Sequence, residues 1–222
     1  MRKTAIILTA ALMISGPIFA SESKTYEVTI TNLTKGQIFT PVLAATHKSD
    51  IAFFELGAPA IEELELLAED GATDPLNDLL MSVPELVQDT SGTGPIMPGA
   101  TASFMIEGSN RFNRLSFAAM LLPTNDSFVA VDSIALPRNH RAATAYAYDA
   151  GTEYNDELCV SIPGPPVAFC QGANVPDDSG EGYVHLSNGV HGIGDTIPMP
   201  VSYTHLRAHE TNCTISYAVF CL

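Results

Sequence analysis

The strongest constraint on the fold is an alternation of apolar and polar residues with a period of two, which returns along much of the chain. Between residues 24 and 34, Tyr26, Val28 and Ile30 alternate with polar neighbours. This pattern predicts a β-strand with one buried face, because successive side chains of a strand point to opposite sides. Alternation or short apolar runs predict further strands at 38–45, 101–107, 128–131, 142–148 and 182–187.

Residues 114–122 form a nearly continuous apolar run, which is typical of a central strand buried on both faces. The predicted strands follow one another at intervals of about ten residues, with turns between them. Alternation of strands with helices, the signature of a parallel sheet, is not visible in the sequence. The pattern therefore predicts an all-β fold with the architecture of an antiparallel β-sandwich.

One short insertion changes the hydrophobic period from that of a strand to that of a helix. Apolar residues recur at helical spacing between residues 59 and 68, and Gly71 follows the end. Asp74 and Pro75 open a second short helix, which is expected to end before Pro84. The glutamates of the first helix are predicted to face solvent, namely Glu62, Glu63, Glu65 and Glu69.

The first 20 residues have the features of a secretory signal peptide. Arg2 and Lys3 precede an apolar segment, and Ala20 is a small residue at the predicted cleavage point. The apolar segment is too short to span a bilayer stably, so we expect a periplasmic or secreted protein without a membrane span. An uncleaved N-terminal anchor is the alternative. The predicted mature domain covers residues 21–200.

The C-terminal segment, residues 201–222, is similar to a translation of sequencing-adapter DNA, a contaminant at the ends of assembled reading frames. On this hypothesis the natural C-terminus has been replaced, and we assign no function to the segment. The alternative is a genuine tail, in which His205 and His209 would lie four residues apart on a helix and could bind a metal.

Two cysteines of the predicted domain, Cys159 and Cys170, flank a loop that is rich in proline. An exported protein meets an oxidising compartment, where two such cysteines are expected to form a disulfide. Metal binding by the pair is the alternative, but the sequence offers no further Cys or His at a suitable spacing.

The chain is strongly acidic, with a formal net charge of −15. This charge argues against nucleic acid as a partner, because contacts to phosphate need Lys and Arg. Four carboxylates are concentrated around a turn at Gly151, namely Asp149, Glu153, Asp156 and Glu157. Oxygen ligands on a flexible turn suit Ca²⁺, which takes six to eight oxygens. A solvated acidic turn without a metal is the alternative.

Three motifs stand out along the chain. They are Leu-Pro-Thr-Asn-Asp-Ser-Phe-Val-Ala-Val-Asp at 122–132, Tyr-Asp-Ala-Gly-Thr-Glu at 148–153, and a segment from 185 that ends in His-Gly-Ile-Gly-Asp at 191–195. These motifs resemble those of the spondin N-terminal domain family, and the likeness extends over most of residues 24–195. The resemblance implies a β-sandwich of C2-like type that binds calcium. It places the calcium ligands on Asp126, Asp149 and Glu153.

This sequence departs from the family pattern at two of these positions. Glu153 stands where Asp is commoner, and Ser127 stands where animal members have Trp. The longer side chain of Glu remains compatible with Ca²⁺, whose coordination geometry is flexible. Asn125 and Asp156 are secondary candidates that could complete the coordination shell.

The resemblance implies a non-enzymatic, exported module for extracellular binding or adhesion, in which calcium is structural and the partner is an extracellular or cell-surface ligand. A structural component of a surface assembly is one alternative. An exported hydrolase is another, although the sequence contains neither a Gly-x-Ser-x-Gly nor a His-Glu-x-x-His motif. Its candidate bases are His140, His185 and His191, and its candidate nucleophiles are Ser103, Ser116, Ser127 and Ser133. The remaining acids are expected to be surface residues, among them Asp132, Asp177, Asp178 and Glu181.

Overall fold

The structure, a computed structural model, describes residues 22–164, 170, 172, 179–196 and 218–221. The predicted signal peptide, Asp177 and Asp178 lie outside the described residues. The elements in chain order are β1 (Ser23–Asn32), β2 (Ile38–Phe39), β3 (Val42–His47), α1 (Glu62–Asp70), α2 (Asp74–Met81), β4 (Val87–Thr93), β5 (Thr101–Ser109), β6 (Arg114–Leu122), β7 (Ser127–Ala135), β8 (Ala142–Asp149), β9 (His185–Leu186) and β10 (Ala218–Cys221).

The strands pair in the order β4-β3-β6-β7-β8-β10-β1-β5, with β2 added to β6 and β9 added to β8. Each of these strand pairs is antiparallel. The prediction of an all-β sandwich with a short helical insertion is confirmed. Adjacent strands of an antiparallel sheet are joined by short turns, and the turns at one end of the sandwich carry the acidic residues described below.

Strand β6 lies between two hydrophobic cores. Leu115 and Phe117 face the core that β6 shares with β1 and β5. Ala118, on the opposite face, packs in a second core that the helices cover with Leu64 and Leu67 of α1. The continuous apolar run is explained by this position, and the predicted burial of both faces is confirmed. Each large side chain that is fully buried here contributes about 1.5–3 kcal/mol.

The strands differ from the prediction at three places. Of the predicted strand 182–187, only β9 (His185–Leu186) forms. The predicted strand 38–45 is divided into β2 and β3, because the chain turns at Thr40 and Pro41, and Pro has no N–H to continue a ladder. Strand β4 has no counterpart among the predicted strands. Its sequence is polar and only its first residue, Val87, is fully buried, so the hydrophobic pattern is too weak to indicate a strand.

Strand β10 belongs to the C-terminal segment that resembles translated adapter DNA. It lies between β8 and β1, with Ala218 opposite Asn32 on one side and Ala145 on the other. The hydrogen-bonded path from β8 to β1 runs through this strand. Residues 197–217 lie outside the described residues, and the foreign origin of the segment stays a prediction.

The predicted disulfide is confirmed, since Cys159 and Cys170 are joined by an S–S bond of 2.05 Å. The bridge packs with Ile162 against Met120 and Leu122 at the end of β6. It therefore anchors the chain that follows the acidic loop to the same end of the sandwich.

Candidate metal centre

Three segments converge at one end of the sandwich: the turn after β6, the loop after β8, and the segment before β9. Pairing of β7 with β8 sets Ser127 opposite Asp149, and pairing of β8 with β9 sets Asp149 opposite His185. The Ala150 N–H donates to the backbone carbonyl of Asp126 at 3.2 Å. The sheet register therefore brings the three segments together, although they are far apart in sequence.

Asp126 is fully buried and only half of its carboxylate is hydrogen-bonded. Its Oδ2 accepts the backbone N–H groups of Thr152 (2.8 Å) and Glu153 (3.2 Å). Its Oδ1 is buried and has no hydrogen-bond partner among the described residues. Burial and the negative charge of Asp149 raise the pKa of Asp126 to about 7, against the opposing effect of the two N–H groups. Without a cation, the ionised form of this carboxylate is therefore unfavourable at neutral pH.

Asp149 is buried at the end of β8 and is held by two donors. Its Oδ1 accepts the N–H of Gly151 (3.0 Å), and its Oδ2 accepts the side-chain amide of Asn155 (3.0 Å). Gly151 has φ of +69°, and a Cβ at this position would lie 2.4 Å from the carbonyl oxygen of Tyr183. Only glycine permits this close turn. Burial raises the pKa of Asp149, and the neighbouring His185 partly offsets the effect.

Glu153 is 3% exposed, and neither of its carboxylate oxygens has a hydrogen-bond partner among the described residues. Burial is the main cause that raises its pKa to about 8, and the charges of Glu69 and Asp126 add to it. The nearby Asn125 side chain favours the ionised form to a smaller extent. The prediction that Glu69 faces solvent is wrong: it is 4% exposed and acts on Glu153 from helix α1.

The donor set fits a hard cation. Asp126 and Glu153 together present three buried carboxylate oxygens without hydrogen bonds, and Asp149 lies beside them. Burying carboxylates in this way is costly unless they are protonated or neutralised by a bound cation. Ca²⁺ accepts carboxylate oxygens in irregular numbers and angles, which suits ligands from separate loops. Asp126, Asp149 and Glu153 would hold such an ion, and its charge would offset the mutual repulsion of the three carboxylates.

The secondary candidates bind other groups of the protein. Asn125 donates to Asp156 Oδ1 (3.1 Å) and accepts the N–H of Glu157 (3.3 Å). Asp156 Oδ2 accepts the hydroxyl of Ser161 at 2.8 Å. These contacts hold the acidic loop to the turn after β6. As placed, the two side chains position the loop that carries Glu153.

Glu157, the last acid of the loop, secures the motif at 191–195. Its carboxylate accepts the backbone N–H groups of His191 and Ile193, the second at 2.9 Å. Asp195 in turn accepts the N–H of Cys159 at 2.6 Å. The His-Gly-Ile-Gly-Asp motif is therefore held to the acidic loop by hydrogen bonds from backbone N–H groups to side-chain carboxylates, and no catalytic role is needed to explain it.

Two further residues, which the predicted set of metal ligands did not include, lie beside Asp149. His185 Nε2 lies 3.4 Å from Asp149 Oδ1 and 3.8 Å from Glu181 Oε2. One ligand atom from each of these three residues lies within 4.8 Å of the other two. Glu181 is exposed, as predicted for a surface acid, and its carboxylate also lies beside His185. The sequence alone could not predict these neighbours of Asp149, because they depend on the pairing of β8 with β9.

The hydrolase candidates do not form an accessible catalytic group among the described residues. Ser116 Oγ lies 2.8 Å from His47 Nε2 and donates to Asp132 Oδ1 at 2.9 Å. Ser116 and His47 are both fully buried, so a substrate has no access to them. Asp132, predicted to be a surface acid, is half-buried, and its carboxylate contacts the serine and also accepts the N–H of Phe53 at 2.9 Å.

The other candidate nucleophiles and bases are also accounted for by local structure. Ser103 pairs with Thr29 on the exposed face of the sheet at 2.7 Å, and Ser127 pairs with Ser187 at 3.0 Å. Ser133 has φ of +52° beside a register shift between β6 and β7. His140 is exposed before β8.

Comparison with known proteins now identifies the family. A family model described as Spondin_N matches residues 24–157. Human Spondin-2 is 30% identical over 121 residues, a match that covers 50% of this chain and 37% of the human protein. Since the family model matches more than half of the chain, the chain belongs to the spondin N-terminal domain family. Asp126, Asp149 and Glu153 lie inside the matched range, whereas Glu181 and His185 lie beyond it.

Proposed function

We propose that this spondin-domain chain is an exported calcium-binding module for extracellular binding or adhesion, in which calcium is structural rather than catalytic. Asp126, Asp149 and Glu153 would be the protein ligands, and Asn125 and Asp156 would hold or complete the shell. The partner would be an extracellular or cell-surface ligand. Membership of the spondin N-terminal domain family supports the binding role.

The observation that carries the calcium proposal is the set of buried carboxylate oxygens without partners on Asp126 and Glu153. Folding would place these charges together only at a large cost in the absence of a cation. A bound Ca²⁺ would convert the repulsion into a bridge between the turn after β6 and the loop after β8. The proposed role of the ion is therefore to fix the loops at this end of the sandwich.

Export is supported by two independent features. The disulfide between Cys159 and Cys170 suits an oxidising compartment, and the first 20 residues have the pattern of a signal peptide. None of the helices in the described residues has the length and apolar character needed to cross a bilayer.

Thermal unfolding of the mature protein in calcium and in chelator tests the proposal. Calcium at 100 times its dissociation constant should add about 2.7 kcal/mol to the free energy of unfolding. Asp126→Asn preserves the shape of the side chain and should abolish most of this gain. Asp50→Asn, at an exposed aspartate, is the matched control and should respond like the wild type.

Two results would count against the proposal. One is a wild-type melting temperature that does not change between calcium and chelator. The other is a calcium response of Asp126→Asn that equals that of Asp50→Asn. A calcium-dependent change from monomer to oligomer in size analysis would instead favour the structural component of a surface assembly.

A further inference from the structure

Asp126, Asp149 and Glu153 together are called the acidic centre. His185 places an imidazole nitrogen against this centre. Strand β9 pairs with the end of β8 so that His185 lies opposite Asp149. Its Nε2 atom is buried and has no hydrogen-bond partner among the described residues. The nearest acidic oxygens are Asp149 Oδ1 at 3.4 Å and Glu181 Oε2 at 3.8 Å. Calcium prefers oxygen ligands, so it does not need a buried nitrogen directed at two carboxylates.

The contact of the other ring nitrogen, Nδ1, determines the tautomer of His185 and therefore whether Nε2 can bind a metal. His185 Nδ1 lies 2.9 Å from the carbonyl oxygen of Leu186. A carbonyl oxygen can only accept, so Nδ1 carries the proton and donates. In the neutral imidazole, Nε2 then has a free lone pair directed at Asp149 and Glu181. Histidines that bind metals are commonly oriented in this way, with the second nitrogen held by a backbone carbonyl.

The spacing of the three groups suits a small tetrahedral ion. Bonds of about 2.0–2.1 Å in a tetrahedral shell separate neighbouring ligand atoms by about 3.3–3.4 Å. The distance of 3.4 Å from His185 Nε2 to Asp149 Oδ1 agrees with this value, and a small rotation of the partly exposed Glu181 would close the distance of 3.8 Å. Asp126, a fully buried residue of the proposed calcium set, lies near these three groups with an oxygen that has no partner among the described residues. Its charge acts on His185 as well as on Asp149.

We propose that His185, Asp149 and Glu181 form a site for a divalent transition-metal ion of the zinc type, next to the proposed calcium ligands. One nitrogen and two carboxylates would bind the ion, and water would take the remaining position. Imidazole favours zinc and its neighbours in the periodic table over calcium, which prefers oxygen. The proposal goes beyond the proposed function, since it concerns another ion, and the two sites share only Asp149.

Calorimetric titration of the metal-depleted mature protein with Zn²⁺ tests the proposal, and Co²⁺ absorption reports the geometry. The wild type should bind one Zn²⁺ per chain and should give the intense visible bands of tetrahedral Co²⁺. His185→Gln should weaken Zn²⁺ binding about 100-fold or more, because it removes a direct ligand. Glu181→Gln should weaken it by a smaller factor. His140→Gln, at an exposed histidine at the other end of β8, is the control and should bind Zn²⁺ like the wild type.

Glu153→Gln separates this proposal from the calcium proposal. It should lose the stabilisation by calcium and keep the wild-type dissociation constant for Zn²⁺. Equal Zn²⁺ dissociation constants for the wild type and His185→Gln would overturn the site. So would the absence of saturable Zn²⁺ binding by the wild type, as expected if His185 serves only as a positively charged partner of Asp149. Loss of Zn²⁺ binding in Glu153→Gln would also overturn it, by showing one common site.

Discussion

Two polar clusters among the described residues differ in how completely their buried atoms are paired. In the cluster of His47, Ser116 and Asp132, the serine hydroxyl contacts both neighbours and also accepts the N–H of Ser133 at 2.8 Å. None of the buried atoms of these three side chains lacks a partner. The acidic centre instead leaves three carboxylate oxygens unpaired, on Asp126 and Glu153.

This difference separates a cluster that stabilises the fold unaided from one that needs a further component. A buried network that is fully paired strengthens a structure, whereas an unpaired buried charge costs free energy. The cluster around Ser116 connects β3, β6 and β7, and its buried atoms have partners within the protein. The acidic centre connects loops and is complete only with protons or a cation. The two clusters should therefore respond differently to pH, calcium and mutation.

The largest expected difference is in the pH dependence of the metal-free protein. The pKa of Asp126 is raised to about 7 and that of Glu153 to about 8, so the folded state keeps protons that the unfolded state releases. Stability should therefore fall as pH rises from about 5 to about 8, at up to about 1.4 kcal/mol per unit for each such group. In chelator we expect a total loss of about 6 kcal/mol over this pH range, measured by urea unfolding.

Calcium should remove most of this pH dependence if the proposed site is correct, because it would bind the ionised carboxylates and stabilise them in the folded state. The comparison needs only the wild type, unfolded at several pH values with calcium and with chelator. Stability that is flat over this pH range in chelator would show that the carboxylates of the acidic centre are not destabilised by their burial.

Ser116→Ala should break the paired cluster and destabilise the protein by about 3 kcal/mol. The substitution leaves His47 Nε2 and the N–H of Ser133 without the serine hydroxyl, and each buried unpaired group costs about 1–3 kcal/mol. Asp132 Oδ1 keeps the N–H of Phe53 as a donor. The loss should be equal in calcium and in chelator. Ser103→Ala, at an exposed serine of β5, is the control and should change stability by less than about 0.5 kcal/mol. A loss that depends on calcium would contradict the separation of the two clusters.

The two clusters also differ in how far the sequence could predict them. Two local motifs predict Asp126, Asp149 and Glu153 as calcium ligands; the structure brings these residues together, and their role as ligands stays a prediction. The contacts of Ser116 could not be predicted, because they depend on the register of β6 against β3 and β7. His185 was missed as a neighbour of Asp149 for the same reason, since the pairing of β8 with β9 has no local signature.

The fold was predictable wherever a strand has a strong burial pattern. The apolar run of β6 and the alternation of β1 reflect burial on two faces and on one face. Strand β4 was missed because its polar residues pack only partly. Glu69 was assigned to solvent because it follows other glutamates on α1, yet the end of this helix lies against the acidic centre. Whether a charged side chain is buried depends on the packing of the whole fold. The spacing of residues along a helix does not show it.

Glu153→Gln should change stability in opposite directions in chelator and in calcium. The amide removes a buried charge, so the metal-free variant should be more stable than the wild type by about 1–2 kcal/mol at pH 8. In saturating calcium the variant should be the less stable protein, because it has lost a charged ligand. Glu27→Gln, at an exposed position of β1, should show neither effect. The measurement is urea unfolding, and a variant that is less stable in both conditions would place Glu153 in an ordinary structural role.

The smallest effect is expected from Glu69→Gln, which changes a neighbour of the centre without removing a proposed ligand. The charge of Glu69 contributes to the raised pKa of Glu153, so its removal should lower that pKa towards its ordinary range. Nuclear magnetic resonance titration of the Glu153 carboxyl carbon in metal-free protein measures the shift directly. Calcium affinity should fall only slightly, since a long-range attraction is lost while the proposed ligands remain. An unchanged Glu153 titration would show that the two glutamates are not coupled, and the acidic centre would then end at the loop after β8 rather than extend to α1.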